Sequence, residues 1–529
     1  MNRSVNRARI PKRGLYLGMV PELAAARSGS TVLTLDHDLD VLPGVGRRLT
    51  VAELAGHVDE LAARLYAAGI RPGERVVICK SPNFDVWVLA TATARTGAVP
   101  VMLSHHLDGP TIGALLDRLD RPHLLADADT LDALDGVPVA DLTRLVISAT
   151  GSRPGAIPLA ELAELAGSRQ AEPVLQGLDE PALITHTSGT TGLPKLVVHT
   201  PRTMRTRLRP QLVLLALLRK RETVAIHVPF GHSRNFAAMA ICLSRAMPVL
   251  LVNDADPDRV GRFFAEHKPG LIEALPGSFL AWEGLADDPR RPFASVRCFS
   301  STFDAIHPRT IGRLLGSSRR RAPMFFQIYG QSEVGPAIGR PYFRRSAHRM
   351  DGRCVGFPMP GGPRVRVVSR NGARPSKANP GFIEVRWPGL LHAYFGERDK
   401  FEASMRDGWW RMGDVGYRTR LGCLHMLDRE VDVIPGVGST LEIEDLLLSR
   451  LDELAELVVV LGPESAAIPV ICTAQDRPLD PGRWRAAASD FPQLGDPVQI
   501  PLAELPRTAT LKVRRIELSR RVHEHLEKQ

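Results

Sequence analysis

Short apolar runs rich in valine and isoleucine alternate with amphipathic helical stretches along the first two thirds of the chain. After the turn at Pro72 and Gly73 come two such runs, 76–78 and 99–103. A helix precedes them, because Thr50 and Glu53 can form a capping box ahead of apolar residues at helical spacing. Further runs of this kind are 182–184, 224–228, 248–252 and 325–328. Since strands that alternate with helices assemble into parallel sheets, the sequence predicts a largely parallel α/β fold.

The pattern changes near residue 350. Short strand candidates separated by turns follow, at 364–368, 382–387 and 423–427, and they predict a β-rich subdomain. A small α/β segment comes next, with a helix over 441–451, a strand over 457–461 and a basic helix from about Arg514. We therefore predict two domains, a large one over 1–428 and a small one over 429–529.

Composition and charge narrow the class of protein. Hydrophobic residues make up 44% and charged residues 24% of the 529 residues, which is typical of a globular protein with room for several domains. The net charge of +10 favours anionic partners. However, only nine of the 68 basic residues are lysine, and no basic face carries interleaved aromatic residues. We therefore attribute the charge to an arginine bias and expect no nucleic-acid partner.

The sequence also indicates the compartment. The densest apolar run, 212–218, is far shorter than the roughly 20 residues that span a bilayer, and no apolar signal segment follows the basic N-terminus. The six cysteines are widely separated, with no Cys-x-x-Cys spacing and no histidine pair at ligand spacing nearby. We expect a cytoplasmic protein without a membrane partner, whose cysteines are reduced and structural.

A segment dense in hydroxyls and glycines follows the strand candidate at 182–184. It reads Thr187-Ser188-Gly189-Thr190-Thr191-Gly192-Leu193-Pro194-Lys195. Backbone amides beside glycine can converge on an anion, the hydroxyls add donors, and the lysine adds a compact charge. The G-x-x-x-x-G-K-[ST] spacing of the P-loop is absent. We interpret the segment as a phosphate-binding loop, the alternative being a solvated hydrophilic turn.

Three further segments carry candidate nucleotide contacts. The segment from Tyr329 to Glu333 offers an aromatic face, a glycine, a hydroxyl and a carboxylate, which suit purine stacking and metal binding. Asp414 can accept from two ribose hydroxyls, and Arg429 can donate nearby. Lys512 lies in a turn-like stretch before the last helix. A lysine retained in so arginine-rich a chain indicates a need for its compact charge, the alternative being a solvent-facing side chain.

In this order the four segments resemble those of the adenylate-forming superfamily, which comprises acyl-CoA synthetases, adenylation domains and luciferases. The loop at 187–195 matches the family's phosphate-loop signature almost letter for letter. Ser332 replaces a threonine in its Tyr-Gly-x-Thr-Glu motif, Met412 replaces a threonine in its Gly-Trp…Thr-Gly-Asp motif, and Lys512 falls at its C-terminal catalytic lysine. The resemblance spans roughly 50–512. It implies a large N-terminal domain of parallel α/β subdomains plus a β-rich subdomain, followed by a small mobile C-terminal α+β domain.

The resemblance also implies a reaction. A substrate oxyanion, usually a carboxylate, attacks the α-phosphate of ATP in the presence of Mg²⁺ and gives an adenylate and pyrophosphate. Lys512 would bridge the oxyanion and the α-phosphate, and Glu333 would bind the metal. The implied catalytic residues are Lys512, His232 and Glu333. The implied nucleotide-binding residues are Thr187, Ser188, Gly189, Thr190, Thr191, Gly192, Lys195, Tyr329, Gly330, Ser332, Asp414 and Arg429.

The segment 228–232 resembles the family segment in which a histidine or an aromatic residue gates the acyl pocket. Family members that take fatty acids tend to be apolar just beyond it, whereas this chain has Ser233, Arg234 and Asn235. We predict His232, Arg234 and Asn235 as substrate contacts. Since an unpaired buried arginine is costly, Arg234 either meets an anionic group of the substrate or is paired structurally, and the sequence leaves both open.

The side of the site that serves the acceptor departs most from the family pattern. Residues 300–304 stand where a Gly-Gly-Ala-Pro-like adenine loop is expected, and Asp428 replaces a glycine before Arg429. Pro435 stands near the position where the family normally has the lysine that begins the loop used in thioester formation, and the segment up to Glu444 is two or three residues short. These departures weigh against coenzyme A as the acceptor.

Three functions remain open on the sequence. The one we favour is an ATP-dependent ligase that adenylates a small, polar or aromatic carboxylic acid and transfers it to coenzyme A, a carrier-protein thiol or an amine. The second is activation of another oxyanion, such as nitrite, for attack by an aryl amine, since ATP-driven diazotisation in specialised metabolism is known among relatives of this family. The third is a nucleotide-binding homologue without turnover, against which the retained Lys195, Glu333, Asp414, Arg429 and Lys512 argue.

Overall fold

The computed structural model describes residues 13–167, 172–187, 193–216, 221–345, 351–508 and 512–526. The helices are α1 (Val20–Ser28), α2 (Val51–Ala67), α3 (Asp85–Arg95), α4 (Gly109–Arg118), α5 (Ala128–Ala133), α6 (Val139–Leu142), α7 (Leu162–Ala166), α8 (Pro201–Leu215), α9 (Ser233–Ser244), α10 (Pro257–His267), α11 (Pro276–Ala281), α12 (Pro308–Ser317), α13 (Arg398–Ala403), α14 (Thr440–Arg450), α15 (Pro481–Ala487) and α16 (Arg515–Leu526). Within these residues no helix is both long and apolar enough to cross a membrane.

The strands form sheets of fourteen, eight and three strands. They are β1 (Val32–Leu35), β2 (Arg48–Thr50), β3 (Arg75–Cys79), β4 (Val99–Met102), β5 (His123–Ala126), β6 (Leu145–Ser148), β7 (Ile157–Pro158), β8 (Leu183–His186), β9 (Leu196–His199), β10 (Val224–His227), β11 (Val249–Leu251), β12 (Leu271–Ala274), β13 (Cys298–Ser301), β14 (Met324–Gln331), β15 (Gly335–Phe343), β16 (Cys354–Pro358), β17 (Arg364–Val368), β18 (Gly381–Arg386), β19 (Ala393–Tyr394), β20 (Met405–Arg406), β21 (Trp409–Arg418), β22 (Leu424–Arg429), β23 (Leu454–Leu461), β24 (Ala467–Thr473) and β25 (Val498–Gln499).

The eight-stranded sheet has the order β19-β9-β8-β4-β3-β5-β6-β7. Neighbours from β8 to β7 are parallel, and β9 and β19 add an antiparallel edge. Strand β3 is buried over Val76–Cys79, as the continuous apolar run in the sequence requires of a strand covered on both faces. The prediction of a parallel α/β sheet is confirmed here.

The fourteen-stranded sheet has a parallel half and an antiparallel half. Strands β14, β13, β12, β10, β11 and β1 are parallel neighbours, whereas β15, β16, β22, β21, β18 and β17 continue the sheet in antiparallel pairs. The second half contains the strand candidates near 364, 382 and 423, so the β-rich subdomain is confirmed. The predicted segment from Tyr329 to Glu333 lies at the middle of this sheet, at the junction of β14 and β15, where the pairing changes from parallel to antiparallel.

Helix α2 shows why the local sequence patterns succeed. Thr50 Oγ1 accepts from the Glu53 amide at 3.2 Å, and the Thr50 amide donates to Glu53 Oε2 at 2.7 Å. This capping box satisfies amides that the first helical turn leaves free. Leu54, Val58 and Leu61 are buried at the predicted helical spacing.

The C-terminal segment contains the three-stranded sheet β23-β24-β25 together with α14 and α16. Asp428, at the end of β22, holds the start of α14, because its Oδ1 accepts from Thr440 Oγ1 at 2.7 Å, from the Thr440 amide at 3.0 Å and from the Leu441 amide at 3.3 Å. Asp428 thus replaces the expected glycine with a helix-capping carboxylate. The division into domains at residues 428 and 429 stays a prediction.

The cysteines differ from the expectation. The structure joins Cys354 and Cys423 in a disulfide, so the prediction that all six are reduced is wrong at this pair. The cause is the pairing of β16 with β22, which places Cys354 opposite His425 and so brings together residues 69 positions apart. Among the described residues, Cys79, Cys242, Cys298 and Cys472 are free.

Candidate active site

A cleft of about 1440 Å³ brings together the segments that the sequence singled out. Side chains from the large sheet, from the eight-stranded sheet and from the C-terminal segment line it. The predicted residues in its lining are Thr187, Lys195, His232, Arg234, Tyr329, Gly330, Ser332, Glu333, Asp414, Arg429 and Lys512. The predicted Ser188, Gly189, Thr190, Thr191 and Gly192 lie outside the described residues.

The two ends of the proposed phosphate loop are tied together. The Thr187 amide donates to the Lys195 carbonyl at 2.9 Å, and the Lys195 amide donates to Thr187 Oγ1 at 3.1 Å. Lys195 Nζ lies 4.9 Å from the centre of the Tyr394 ring. This contact holds the ammonium at the cleft by a cation–π interaction.

Tyr394 also orients the candidate metal ligand. Its hydroxyl donates to Glu333 Oε1 at 2.7 Å, and Glu333 is only 9% exposed. Burial and the adjacent carboxylate raise the pKa of Tyr394 well above its ordinary value, so the phenol remains a donor. A carboxylate held in this way at a cleft is a suitable oxygen ligand for Mg²⁺. The sequence contained no motif that could identify Tyr394.

A buried arginine holds the loop that carries Glu333. Arg207, in α8, donates to the carbonyls of Gly389 at 2.7 Å, Ser332 at 2.9 Å and Glu333 at 2.7 Å. Burial lowers the pKa of Arg207 to about 10, so the guanidinium stays charged at neutral pH. Sequence reasoning missed Arg207 because its partners lie more than 120 positions away.

The candidate ribose site is built on a strand pair. Asp414 in β21 is the register partner of Arg429 in β22, and Arg429 Nε lies 3.6 Å from Asp414 Oδ1. The Tyr329 hydroxyl donates to Asp414 Oδ2. Burial raises the pKa of Asp414 above its ordinary value, although Arg429 and Tyr329 oppose the shift. At Gly330 a Cβ would lie 2.1 Å from the Gly335 carbonyl oxygen, so the backbone requires glycine there.

Lys512 reaches the cleft from the C-terminal segment. The Lys512 amide donates to Thr508 Oγ1 at 3.2 Å, and the Thr508 amide donates to the Lys512 carbonyl at 2.8 Å. Its positive charge contributes to lowering the pKa of His232 and opposes the rise in the pKa of Asp414. The structure therefore brings the candidate catalytic lysine, the candidate ribose ligand and the candidate gate residue into one electrostatic environment.

His232 is held as a neutral donor at the start of α9. Its Nδ1 accepts from the Arg234 amide at 3.0 Å, which leaves the proton on Nε2. Burial, followed by the neighbouring His186 and Lys512, lowers the pKa of His232 to about 3. The ring lies 4.7 Å from that of Phe303, which belongs to the unusual segment 300–304. His232 therefore offers one N–H group to a ligand at neutral pH.

We expect the free energy of unfolding to fall as the pH is lowered from 7.5 to 5.5. Burial lowers the pKa of both His199 and His232, so the unfolded chain binds more protons than the folded chain below about pH 6.5. Each histidine should contribute a loss of about 1 kcal/mol at pH 5.5. Urea unfolding at several pH values measures the slope, and His232→Gln should flatten it; an unchanged slope would contradict the assignment.

Arg234 meets a buried carboxylate. Its Nη2 lies 2.5 Å from Glu273 Oε2, its Nε donates to Glu273 Oε1, and both side chains are 10% exposed. Arg234 Nη1 is buried and has no hydrogen-bond partner among the described residues. Arg234 is therefore paired structurally with Glu273, and its buried Nη1 leaves one donor available for a second, anionic partner.

Two further residues near Arg234, Asn235 and Glu273, differ from what the sequence analysis expected. Asn235 is fully buried, donates to the Val228 carbonyl at 3.1 Å and is not part of the cleft lining. The structure therefore does not bring Asn235 to the site. Sequence reasoning missed Glu273. A lone glutamate inside the apolar strand β12 could have indicated it, because a buried carboxylate requires a partner.

Comparisons with known proteins agree on one family. A family model described as "AMP-binding enzyme" matches residues 22–395. A 3-amino-2-hydroxy-4-methoxybenzoate diazotase from Streptomyces cremeus is 46% identical over 527 residues, covering 96% of this chain and 95% of that protein. A 3-aminoavenalumate diazotase from a Streptomyces species is 26% identical, covering 78% of this chain and 74% of that protein.

The fold has close counterparts among solved structures. The o-succinylbenzoate coenzyme A synthetase MenE from Bacillus subtilis, in complex with ATP and a magnesium ion, superposes with a TM-score of 0.76 at 21% identity, covering 94% of this chain and 98% of that one. At this identity the likeness establishes the fold. This likeness confirms the predicted fold class, a large α/β part followed by a small C-terminal part.

Proposed function

Because this chain belongs to the AMP-binding enzymes, the adenylate-forming superfamily, we propose that it is an ATP-dependent diazotase that activates nitrite for attack by an aminobenzoate. The observation that carries the proposal is the 46% identity, over nearly the whole of both chains, with the benzoate diazotase of Streptomyces cremeus. The expectation that we favoured on the sequence, a ligase that adenylates a carboxylic acid, becomes the second candidate. The amine is then the acceptor, in place of a thiol.

The cleft supplies the groups that the first step needs. Nitrite oxygen attacks the α-phosphorus of ATP, the bond to pyrophosphate breaks, and a nitrosyl group is left on the oxygen of AMP. Lys512 neutralises the charge that develops on the phosphate, which is electrostatic catalysis by a positioned cation. Asp414 and Arg429 hold the ribose, Tyr329 stacks on the adenine, and the 187–195 loop holds the outer phosphates. Mg²⁺, when bound by Glu333, supplies positive charge at those phosphates.

The second step uses the same cleft. The aryl amine nitrogen attacks the nitrosyl nitrogen, AMP leaves, and a proton is lost to give a nitrosamine. Its hydroxy tautomer gains a proton and loses water, which leaves the aryl diazonium ion. Because the amine itself is the acceptor in these steps, no thiol carrier has to enter the cleft.

The aryl substrate is proposed to bind beside α9. An aminobenzoate carries a carboxylate, and Arg234 Nη1 is a buried donor without a partner in the described part of the chain. His232 offers the Nε2–H group, and Phe303 provides an aromatic face next to it. A charge-assisted bond from Arg234 to the carboxylate would satisfy the buried donor. The acid group is therefore a recognition element in this proposal and is not activated.

The departures on the acceptor side support the same assignment. Pro435 occupies the neighbourhood of the lysine expected for thioester formation, and Asp428 fixes the start of α14. Related coenzyme A ligases are nevertheless numerous, among them an indoleacetate–CoA ligase from Aromatoleum aromaticum at 26% identity. A carboxylic acid ligase is therefore the alternative that the experiment must separate.

The experiment combines the full chain with ATP, Mg²⁺, nitrite and a panel of amino-aryl acids. AMP and pyrophosphate are quantified, and the diazonium ion is trapped as an azo dye by coupling to a phenol. With ¹⁵N-nitrite, the dye should gain one mass unit. The matched controls leave out ATP, nitrite or the amine, because each is required for trapped product in this proposal.

Two outcomes contradict the proposal in different ways. Acyl-CoA formation from an aryl acid, ATP and coenzyme A without nitrite would identify the ligase. ATP binding without AMP formation from any substrate would identify a nucleotide-binding homologue without turnover.

A further inference from the structure

A cluster of sulfur and nitrogen atoms lies outside the cleft, where β16 meets β22. Cys354, Cys423 and His425 each place one ligand atom within 4.8 Å of the others. Cys354 is 2% exposed and His425 is 7% exposed, whereas Cys423, one residue before β22, is half-buried. The register of the two strands, with Cys354 opposite His425, holds the group together.

The contacts of the His425 imidazole leave its Nδ1 lone pair free. His425 Nε2 lies 2.9 Å from Asp351 Oδ2, and the Tyr417 ring stacks on the imidazole at 4.8 Å. With the Nε2 proton directed to the carboxylate, Nδ1 carries the lone pair. Nδ1 is buried and has no hydrogen-bond partner in the part of the chain that the structure describes. Leaving a buried polar atom without a partner is unfavourable, so Nδ1 calls for a ligand.

We propose that Cys354, Cys423 and His425 bind a Zn²⁺ ion in the reduced protein, with Asp351 as the residue that orients the imidazole. Two thiolates neutralise the two charges of the ion, so the complex can be buried without a net charge. Thiolate and imidazole ligands favour Zn²⁺ over Mg²⁺ or Ca²⁺. Carboxylate support of a metal-binding histidine is the usual arrangement of such sites.

The geometry is compatible with the ion. The two cysteine Cα atoms are 6.8 Å apart, at the upper end of what a disulfide spans, so thiolates on a shared metal need no movement of the strands toward one another. With three protein ligands, the fourth position of a tetrahedral ion would be taken by a water molecule. In this proposal the disulfide is the oxidised, metal-free form of the same pair.

The position of the cluster gives it a structural consequence. Cys423 and His425 lie at the turn end of the β21–β22 hairpin, and the other end of that hairpin carries Asp414 and Arg429. Cys354 lies on β16, the next strand of the sheet. A metal bound here would cross-link the hairpin to β16 and stabilise the strands that present the candidate ribose site.

The test measures metal and thiols on the full chain, purified in reductant without chelator from zinc-supplemented cells. We expect about one zinc per chain by elemental analysis and six titratable thiols after denaturation with a chelator. Cys354→Ser and His425→Gln should each lower the zinc content at least about tenfold. Cys472→Ser is the matched control, since Cys472 is a buried free cysteine elsewhere, and it should retain the metal.

Readouts that do not depend on a folded variant keep the proposal testable. Co²⁺ added to the reduced wild-type chain should give the absorption of thiolate-bound tetrahedral cobalt, and a thiol-modifying mercurial should release zinc. Absence of zinc with four titratable thiols would show a disulfide instead, and absence of zinc with six thiols would show free cysteines. Zinc retained by both Cys354→Ser and His425→Gln would place the metal elsewhere. Every one of these results is independent of the diazotase assignment.

Discussion

Replacing Lys512 with alanine is expected to lower the rate of pyrophosphate release by about 10²–10³-fold while ATP binding changes little. Lys512 lines the cleft, and its positive charge contributes to lowering the pKa of His232 and opposes the rise in the pKa of Asp414. The turn that positions it relies on hydrogen bonds between the Lys512 backbone and Thr508, which alanine retains. The ammonium acts on charge that develops in the transition state, so its loss should appear in kcat and only weakly in the Kd for ATP.

Two variants control for the loss of a positive charge. Lys377→Ala removes an exposed lysine that pairs with Glu442 and should keep normal turnover. Lys512→Arg keeps the charge but replaces a compact ammonium with a planar fork, so it should recover only part of the rate. Equal losses in kcat and in ATP affinity for Lys512→Ala would show that the residue binds ATP in the ground state.

Replacing Arg234 with methionine is expected to raise the KM for the aryl substrate roughly 10- to 100-fold and to leave the KM for ATP unchanged. The variant also strands Glu273 as a buried charge, which should lower the free energy of unfolding by about 3–5 kcal/mol. Steady-state kinetics with each substrate varied in turn and denaturant unfolding measure the two effects separately.

A double variant separates binding from stability. In Arg234→Met with Glu273→Met, both charges are gone, so stability should return while the KM for the aryl substrate stays high. Arg95→Met is the matched control, because Arg95 is equally buried and pairs with Glu22 and Asp59 away from the cleft. If Arg95→Met raised the same KM as much, the effect of Arg234 would be one of stability alone.

The sequence predicted most of the fold because its signals are local. Apolar runs at 76–78 and 224–228 became strands, and the Thr50 capping box began α2, since each depends on residues a few positions apart. The sequence could single out the candidate nucleotide contacts, many of which line the cleft, for the same reason. These residues stand in short contiguous motifs, such as Tyr329 to Glu333.

What the sequence did not show depends on contacts between distant positions. Arg207 holds carbonyls at 332 and 333, Glu273 meets Arg234 across 39 positions, and Tyr394 orients Glu333 across 61. None of these partners stands in a motif with the residue it serves. The sequence did not predict the pairing of Cys354 with Cys423 for the same reason. Spacing along the chain does not show which strands are neighbours in the sheet.

The carboxylate of Asp428 has a consequence for the reactive intermediate. It receives three hydrogen bonds from the start of α14, and Ser439 Oγ adds a bond to the Leu427 carbonyl at 2.8 Å. Any movement of the start of α14 away from the end of β22 would have to break these bonds. In the proposed reaction, we therefore expect the ratio of hydrolysed adenylate to coupled product to depend on how long Asp428 keeps the start of α14 in place.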